Sequence, residues 1–174
     1  MGRRIDPPDA PDAVFPYANA DRVRAQIVQF FKDKQAAALV CSAACGADLL
    51  ALQAAETLTM RRRILLPFDA KEFRRSSVTD RPGDWGPAFD HAIAAARASA
   101  DLIDLGLSPG ADESYLRAND AIIEQAVTMA AASGDDAAAL LVWNGEPRPT
   151  GDMTSAFETA ARAQGLQVFE ISTL

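Results

Sequence analysis

The sequence is poor in the residues that hold metals or cross-link chains. Among 174 residues it has one histidine, His91, and two cysteines, Cys41 and Cys45. The two thiols sit in an apolar stretch without CxxC spacing or a second Cys/His pair. Thiols buried as small hydrophobes are therefore expected, and no metal or other cofactor. Aromatic residues are only 7% of the chain, so the core must be built from small side chains, alanine above all. No apolar run reaches the ~18 residues of a membrane-spanning helix, and Met1–Pro16 lacks the apolar centre of a signal peptide. The expectation is a cytoplasmic protein with no membrane partner. Positive charge is also short, with 17 Lys and Arg against 24 Asp and Glu, a net charge of −7. That balance argues against a nucleic-acid partner, because phosphate backbones are met with clustered positive charge. A local anion site made of backbone N–H groups stays open.

What is present is a chain that is 49% hydrophobic and long enough to bury a core without staples. It reads as one domain over 1–174. Residues Met1–Asn19 are rich in Pro and Asp and read as an extended arm. Helices are expected from Asp21 to about Lys34, Ala47 to about Thr59, Asp84 or Trp85 to about Ala98, Tyr115 to about Ala132 and Met153 to Gln164. Strands are expected at Ala37–Cys41, Ile64–Leu66, Asp101–Leu105, Ala137–Trp143 and Gln167–Ile171. Phe68–Gly83, dense in charge, reads as a long loop. The strands are short uniform apolar runs rather than alternating ones. That pattern belongs to a mostly parallel sheet of about five strands buried on both faces, an α/β fold of three layers.

In such folds ligands bind beyond the carboxyl ends of the strands, and three loops there carry candidate chemistry. The first is Ser42-Ala43-Ala44-Cys45-Gly46-Ala47-Asp48. Its small side chains let a ligand approach the backbone, Gly46 permits a tight turn, and a helix N-terminus follows; a closely packed strand-to-helix turn has the same composition. Asp48 in the first helical turn suits the helix dipole and, if functional, suits ribose hydroxyls better than phosphate. The second loop is Trp143-Asn144-Gly145-Glu146, where Trp143 is either a stacking face for a base or core filler. The third is Thr150-Gly151-Asp152-Met153-Thr154, either a ligand loop or an ordinary helix cap. Asn119 and Asp120 lie on a helix and face either the site or solvent. His91 has no nucleophile nearby in sequence. Arg61-Arg62-Arg63 reads as a solvated edge at the opposite end, whereas Arg74 and Arg75 follow a strand and are in reach of a phosphate.

Several of these segments resemble the SLOG superfamily, which includes the lonely-guy phosphoribohydrolases, the SMF DNA-processing proteins and relatives near the nucleoside deoxyribosyltransferases. They are Gly2-Arg3-Arg4-Ile5-Asp6 with Phe15-Pro16, and Ser42-Ala43-Ala44-Cys45-Gly46-Ala47-Asp48-Leu49-Leu50. Leu65-Leu66-Pro67-Phe68 follows, with Phe73, Ser77-Val78 and Trp85, and then Val142-Trp143-Asn144-Gly145 with Gly151-Asp152-Met153-Thr154. Together they span nearly the whole chain, and the Ser-Ala-Ala-Cys-Gly-Ala-Asp segment is the most specific. The resemblance, closest to a bacterial signalling branch, implies a Rossmann-like fold that binds nucleotides or ribose-phosphate derivatives. It places Gly2, Arg4 and Asp6 at the end of a first strand, inside the site, with few residues left to form that strand.

The lonely-guy signature Pro-Gly-Gly-x-Gly-Thr-x-x-Glu is missing; Gly151-Asp152-Met153-Thr154 stands in its place, with no acid/base pair or nucleophile beside it. The expected function is therefore binding or sensing of a nucleotide-like small molecule. Its expected contacts are Arg4, Ser42, Ala44, Cys45, Gly46, Asp48, Asn119, Trp143, Asn144, Gly145, Gly151 and Thr154. The alternative is an N-glycosidic-bond hydrolase or transferase using Asp48, Glu113 or Asp152. A purely structural interaction domain is the third reading, since alanine-rich helices could pair two protomers in a homodimer.

Overall fold

A computed structural model describes residues 2–174 and shows a mixed α/β protein with six α-helices and five strands among them. The strands pair in parallel in two groups rather than in one sheet. β1 (Ala38–Cys41), β2 (Arg61–Leu66) and β3 (Leu102–Asp104) form a three-stranded sheet in that order, and β4 (Ala138–Trp143) pairs with β5 (Gln167–Ser172). The N-terminal segment runs beside β4. It makes one parallel bridge, Gly2 to Val142, with the Arg3 N–H donating to the Val142 carbonyl at 2.8 Å. The expected single sheet of five is thus divided into three and two.

The side chains of β2 and β4 alternate between two apolar clusters, as the two-residue period of a strand requires. Ile64, Leu66 and Val142 join one cluster; Leu65, Leu141 and Trp143 join the other. The first is covered by α1 (Ala20–Asp33), α2 (Ala47–Thr57) and α4 (Trp85–Ala98), the second by α5 (Asp112–Ser133) and α6 (Met153–Ala163). Helix α2 is the most deeply packed. Its buried residues include Ala47, Ala51, Ala54 and Ala55 with Leu49, Leu50 and Leu52, so its alanine positions bring the backbone close to its neighbours. Such a core leaves little room for repacking, because interiors are already close-packed.

Three local expectations change. Residues 70–77 of the expected loop form a helix, α3 (Ala70–Ser77). Asp69 caps it by accepting from the N–H groups of Lys71 and Glu72, and Phe73 and Ser77, one turn apart, are its buried anchors. The arm at residues 2–19 is not extended. The Asp6 carboxylate accepts from the N–H groups of Val14 and Phe15 at 2.9 and 2.8 Å, closing the segment into a loop that buries Ile5 and Phe15 completely. The basic run belongs to β2: Arg61 and Arg63 converge on the buried Asp101 and Arg62 pairs with Glu56. Their charges are spent on holding β3 and α2 to the strand.

Candidate functional site

The turn after β1 is shaped by its contact with the N-terminal segment. Gly46 has φ +88°, and a Cβ there would lie 2.8 Å from the Arg3 carbonyl oxygen and 2.9 Å from the Ile5 nitrogen. The Ala47 N–H donates to that same Arg3 carbonyl at 3.1 Å. The glycine is therefore required by protein backbone rather than by an approaching ligand, and one orphan donor of the helix N-terminus is already occupied. Arg4 follows directly on this contact and pairs with Asp80 in the loop between α3 and α4. The Cys45 N–H donates to the Ser77 carbonyl, which fastens the turn to the end of α3. Burial pushes the Cys41 and Cys45 thiols up, against the nearby Arg4 charge in the case of Cys45, so both are protonated and inert.

Asp48, at the first turn of α2, is 4% exposed and accepts one hydrogen bond, from the Ala44 N–H at 3.3 Å. Burial raises its pKa, with the Ala44 donor and the Arg4 charge acting in the opposite direction. Ser42 is 6% exposed and its Oγ has no hydrogen-bond partner. Across the carboxyl edge, Asn119 of α5 is 2% exposed; its Nδ2 donates to the Met153 carbonyl at the start of α6, and its Oδ1 has no partner. Ser77 and Tyr115 bring their hydroxyls to 3.5 Å of one another, and the Tyr115 ring meets Phe68 edge-on. Neither Ser77 nor Tyr115 is found by reading single loops, because each comes from a different element; Ser77 belongs to the missed helix.

The loop after β4 is organised by Arg3, a residue that sequence reasoning passed over in favour of Arg4. Arg3 is 3% exposed and grips Asp152 with two bonds of 2.7 and 2.8 Å. It also donates to Asn144 Oδ1 and to the Glu146 carbonyl, and its guanidinium lies 5.5 Å from the centre of the Trp143 ring. Asp152 in turn caps α6 through the N–H groups of Thr154 and Ser155 and accepts from the Arg148 N–H. Arg3 and these N–H groups outweigh burial and hold the Asp152 pKa at about 2. Trp143 is 5% exposed within the second cluster, and its indole N–H donates to Glu170. Its ring is thus core, faced by Arg3. Thr154 is buried, whereas Gly145 and Gly151 lie exposed on the loop with positive φ.

The remaining candidates fall elsewhere. Glu113 is 74% exposed and paired with Arg117 one turn on. Asp120 is exposed. His91 touches Glu56 on the exposed side of α4. Arg74 and Arg75 pair with Asp90 and Glu72 on the surface of α3 and are not turned to any of the three loops. Of the three carboxylates considered for catalysis, Asp152 is saturated and Glu113 solvated, which leaves Asp48.

Two surface clefts lie away from these loops. One of about 320 Å³ is lined by Leu66, Asp69, Arg97 and Asp104 among others, and one of about 180 Å³ by Met60, Arg61 and Asp101. Neither is lined by the turn after β1 or the loop after β4. No group of three or more metal-ligating side chains occurs among the described residues, and none of their helices is long and apolar enough to cross a membrane. No family model, curated protein or solved structure matches the chain.

Proposed function

We propose that the chain binds a nucleotide or nucleoside-derived small molecule at the carboxyl edge of its strands, as a Rossmann-like domain of the SLOG type whose two strand groups act as one layer. The observation that carries this reading is the pair of unpartnered polar atoms, Ser42 Oγ and Asn119 Oδ1, both buried and both at that edge. A buried polar group without a partner costs about 1–3 kcal/mol. A ligand that supplies the partner removes that cost, which favours its binding. Asn119 Oδ1 can only accept, and Ser42 Oγ both donates and accepts. The complementary ligand carries hydroxyl or amino donors, as ribose and the exocyclic amines of bases do.

A glycosidic-bond reaction at the same site reduces to Asp48. It is the candidate carboxyl that is both buried and raised in pKa, the state that favours a proton donor.

The test is a calorimetric titration of AMP and adenosine into the protein and into Ser42→Ala, with product analysis of each mixture. Saturable binding without base release, weakened about tenfold or more by Ser42→Ala, is the expected result. Absence of binding by either compound, or unchanged affinity in the variant, overturns the reading. Base release that disappears in Asp48→Asn would replace binding with hydrolysis.

A further inference from the structure

The chain is acidic overall, yet three arginines from three separate segments gather beside the candidate site. Arg4 comes from the N-terminal segment, Arg81 from the loop between α3 and α4, and Arg148 from the loop between β4 and α6. Arg4 and Arg81 share a single carboxylate, Asp80, with Arg81 Nε 3.5 Å from it. The Nε atoms of both arginines are buried and have no hydrogen-bond partner. Arg148 is exposed and makes no ion pair among the described residues; only its backbone N–H is engaged, by Asp152.

Two other carboxylates at this edge are committed. Asp152 is held by Arg3, and Asp6 accepts from Val14 and Phe15. Asp80 is thus the one carboxylate that Arg4 and Arg81 share in ion pairs, and Arg148 has no ion pair among the described residues. The crowding has an electrostatic signature: partial desolvation and the like charges of Arg3 and Arg81 pull the Arg148 pKa down, with Asp152 and Asp6 acting against them. A cluster of like charges with unused donors is a poor structural element and a good anion receptor, because a guanidinium meets phosphate oxygens with paired donors.

We propose that Arg81 and Arg148, with Arg4, clasp a phosphate group of the ligand. The clasp is tied to the turn after β1 by contacts already described: Gly46 packs on the Arg4 backbone, and the Cys45 N–H reaches Ser77, three residues before Asp80. The ligand class is thereby narrowed from nucleoside-like to phosphorylated, with the neutral donors read by Ser42 and Asn119 and the anion by the arginines. This rests on the proposed binding function for the nucleoside part and stands apart from it for the phosphate part.

The test compares pyrophosphate, AMP and adenosine on the intact protein and on an Arg81→Gln/Arg148→Gln variant, with circular dichroism and the unfolding midpoint as controls for the fold. Both positions are in loops and at least partly exposed, so the variant keeps the wild-type midpoint. The clasp predicts that AMP binds at least tenfold more tightly than adenosine, that the variant lowers AMP to the level of adenosine, and that pyrophosphate binding is lost. An Arg81→Lys/Arg148→Lys variant should recover part of the affinity, since it restores charge without the paired donors. Equal AMP affinity in the wild type and the glutamine variant overturns the clasp while leaving nucleoside binding standing. Pyrophosphate binding that depends on the arginines, with no response to adenosine or AMP, retains an anion site and removes the nucleotide reading. No binding of AMP or pyrophosphate to the wild type overturns the clasp outright.

Discussion

Two loops at the carboxyl edge, the one after β4 and the one after β1, treat their polar groups in opposite ways. After β4, the Asp152 carboxylate is engaged by two nitrogens of Arg3 and by the N–H groups of Arg148, Thr154 and Ser155. After β1, Ser42 Oγ is buried with nothing to bond, and Asn119 Oδ1 on the neighbouring helix is in the same state. Buried polar groups in folded proteins are nearly always satisfied. A saturated network specifies architecture, whereas an unsaturated one is a cost that the fold carries. In Gly151-Asp152-Met153-Thr154, read in sequence as either a ligand loop or a helix cap, the Asp152 carboxylate is taken up by the cap and by Arg3.

The largest effect follows from breaking the saturated network. Arg3→Ala removes five interactions with Asp152, Asn144, the Glu146 carbonyl and the Trp143 face. It leaves Asp152, whose side chain is 5% exposed, without its counter-charge. Removing one partner of a buried ion pair costs about 3–5 kcal/mol, and urea unfolding should show a loss of that order. A loss under about 1 kcal/mol would mean that the N-terminal segment is not an integral part of the fold.

Acid separates the two regions next. The Asp152 pKa is about 2 in the folded protein against an ordinary 3.8. A depressed folded-state pKa contributes stability above the unfolded value and loses it as pH falls through the folded one, so this contribution disappears between about pH 4 and 2. Its size is about 1–2 kcal/mol, taking the shift at somewhat less than full weight for solvent screening. Asp48 acts with the opposite sign. Its pKa is raised by burial, so its contribution is most favourable below the unfolded value and is lost as pH rises through the folded one. Stability curves of Asp152→Asn and Asp48→Asn from pH 2 to 7 should diverge accordingly: the first flattens the acid limb, and the second is more stable than wild type at pH 7. Curves parallel to wild type would remove both assignments.

How much of this was legible in the sequence depends on how far apart the interacting residues lie. Helices α2 and α5 and strand β4 announce themselves by local apolar pattern, and the structure has all three near their expected bounds. Helix α3 does not, because its charged positions Lys71, Glu72, Arg74 and Arg75 mask the single pair of anchors Phe73 and Ser77. The division of the strands into two groups is likewise hidden, since it turns on how few ladder bonds Gly2 and Arg3 make with Val142. The candidate site divides the same way. Ser42, Asp48 and Asn119 are nominated by their places after a strand or on a helix. Arg3 and Asp152 are 149 positions apart, and Arg4, Asp80, Arg81 and Arg148 come from three segments. No local pattern relates them. The Gly46 signal was real, but the backbone that approaches it belongs to the protein's own residues Arg3 to Ile5, a distinction that composition cannot make.

The smallest effect on stability is the most discriminating one. Ser42→Ala deletes a buried hydroxyl that has no hydrogen-bond partner. In the empty protein the change should be neutral or stabilising by less than about 1 kcal/mol, since an apolar replacement for an unsatisfied polar group carries no hydrogen-bond loss. Where Arg3→Ala is costly with or without ligand, Ser42→Ala should become unfavourable only when ligand is present. Ligand at 100 times its dissociation constant adds about 2.7 kcal/mol to the folded state. At the same concentration a tenfold weaker variant gains only about half of that. Unfolding midpoints with and without AMP, measured on both variants, therefore give two different patterns. A Ser42→Ala protein that is markedly less stable even without ligand would show that its hydroxyl has a partner in solution, and the contrast between the two loops would vanish.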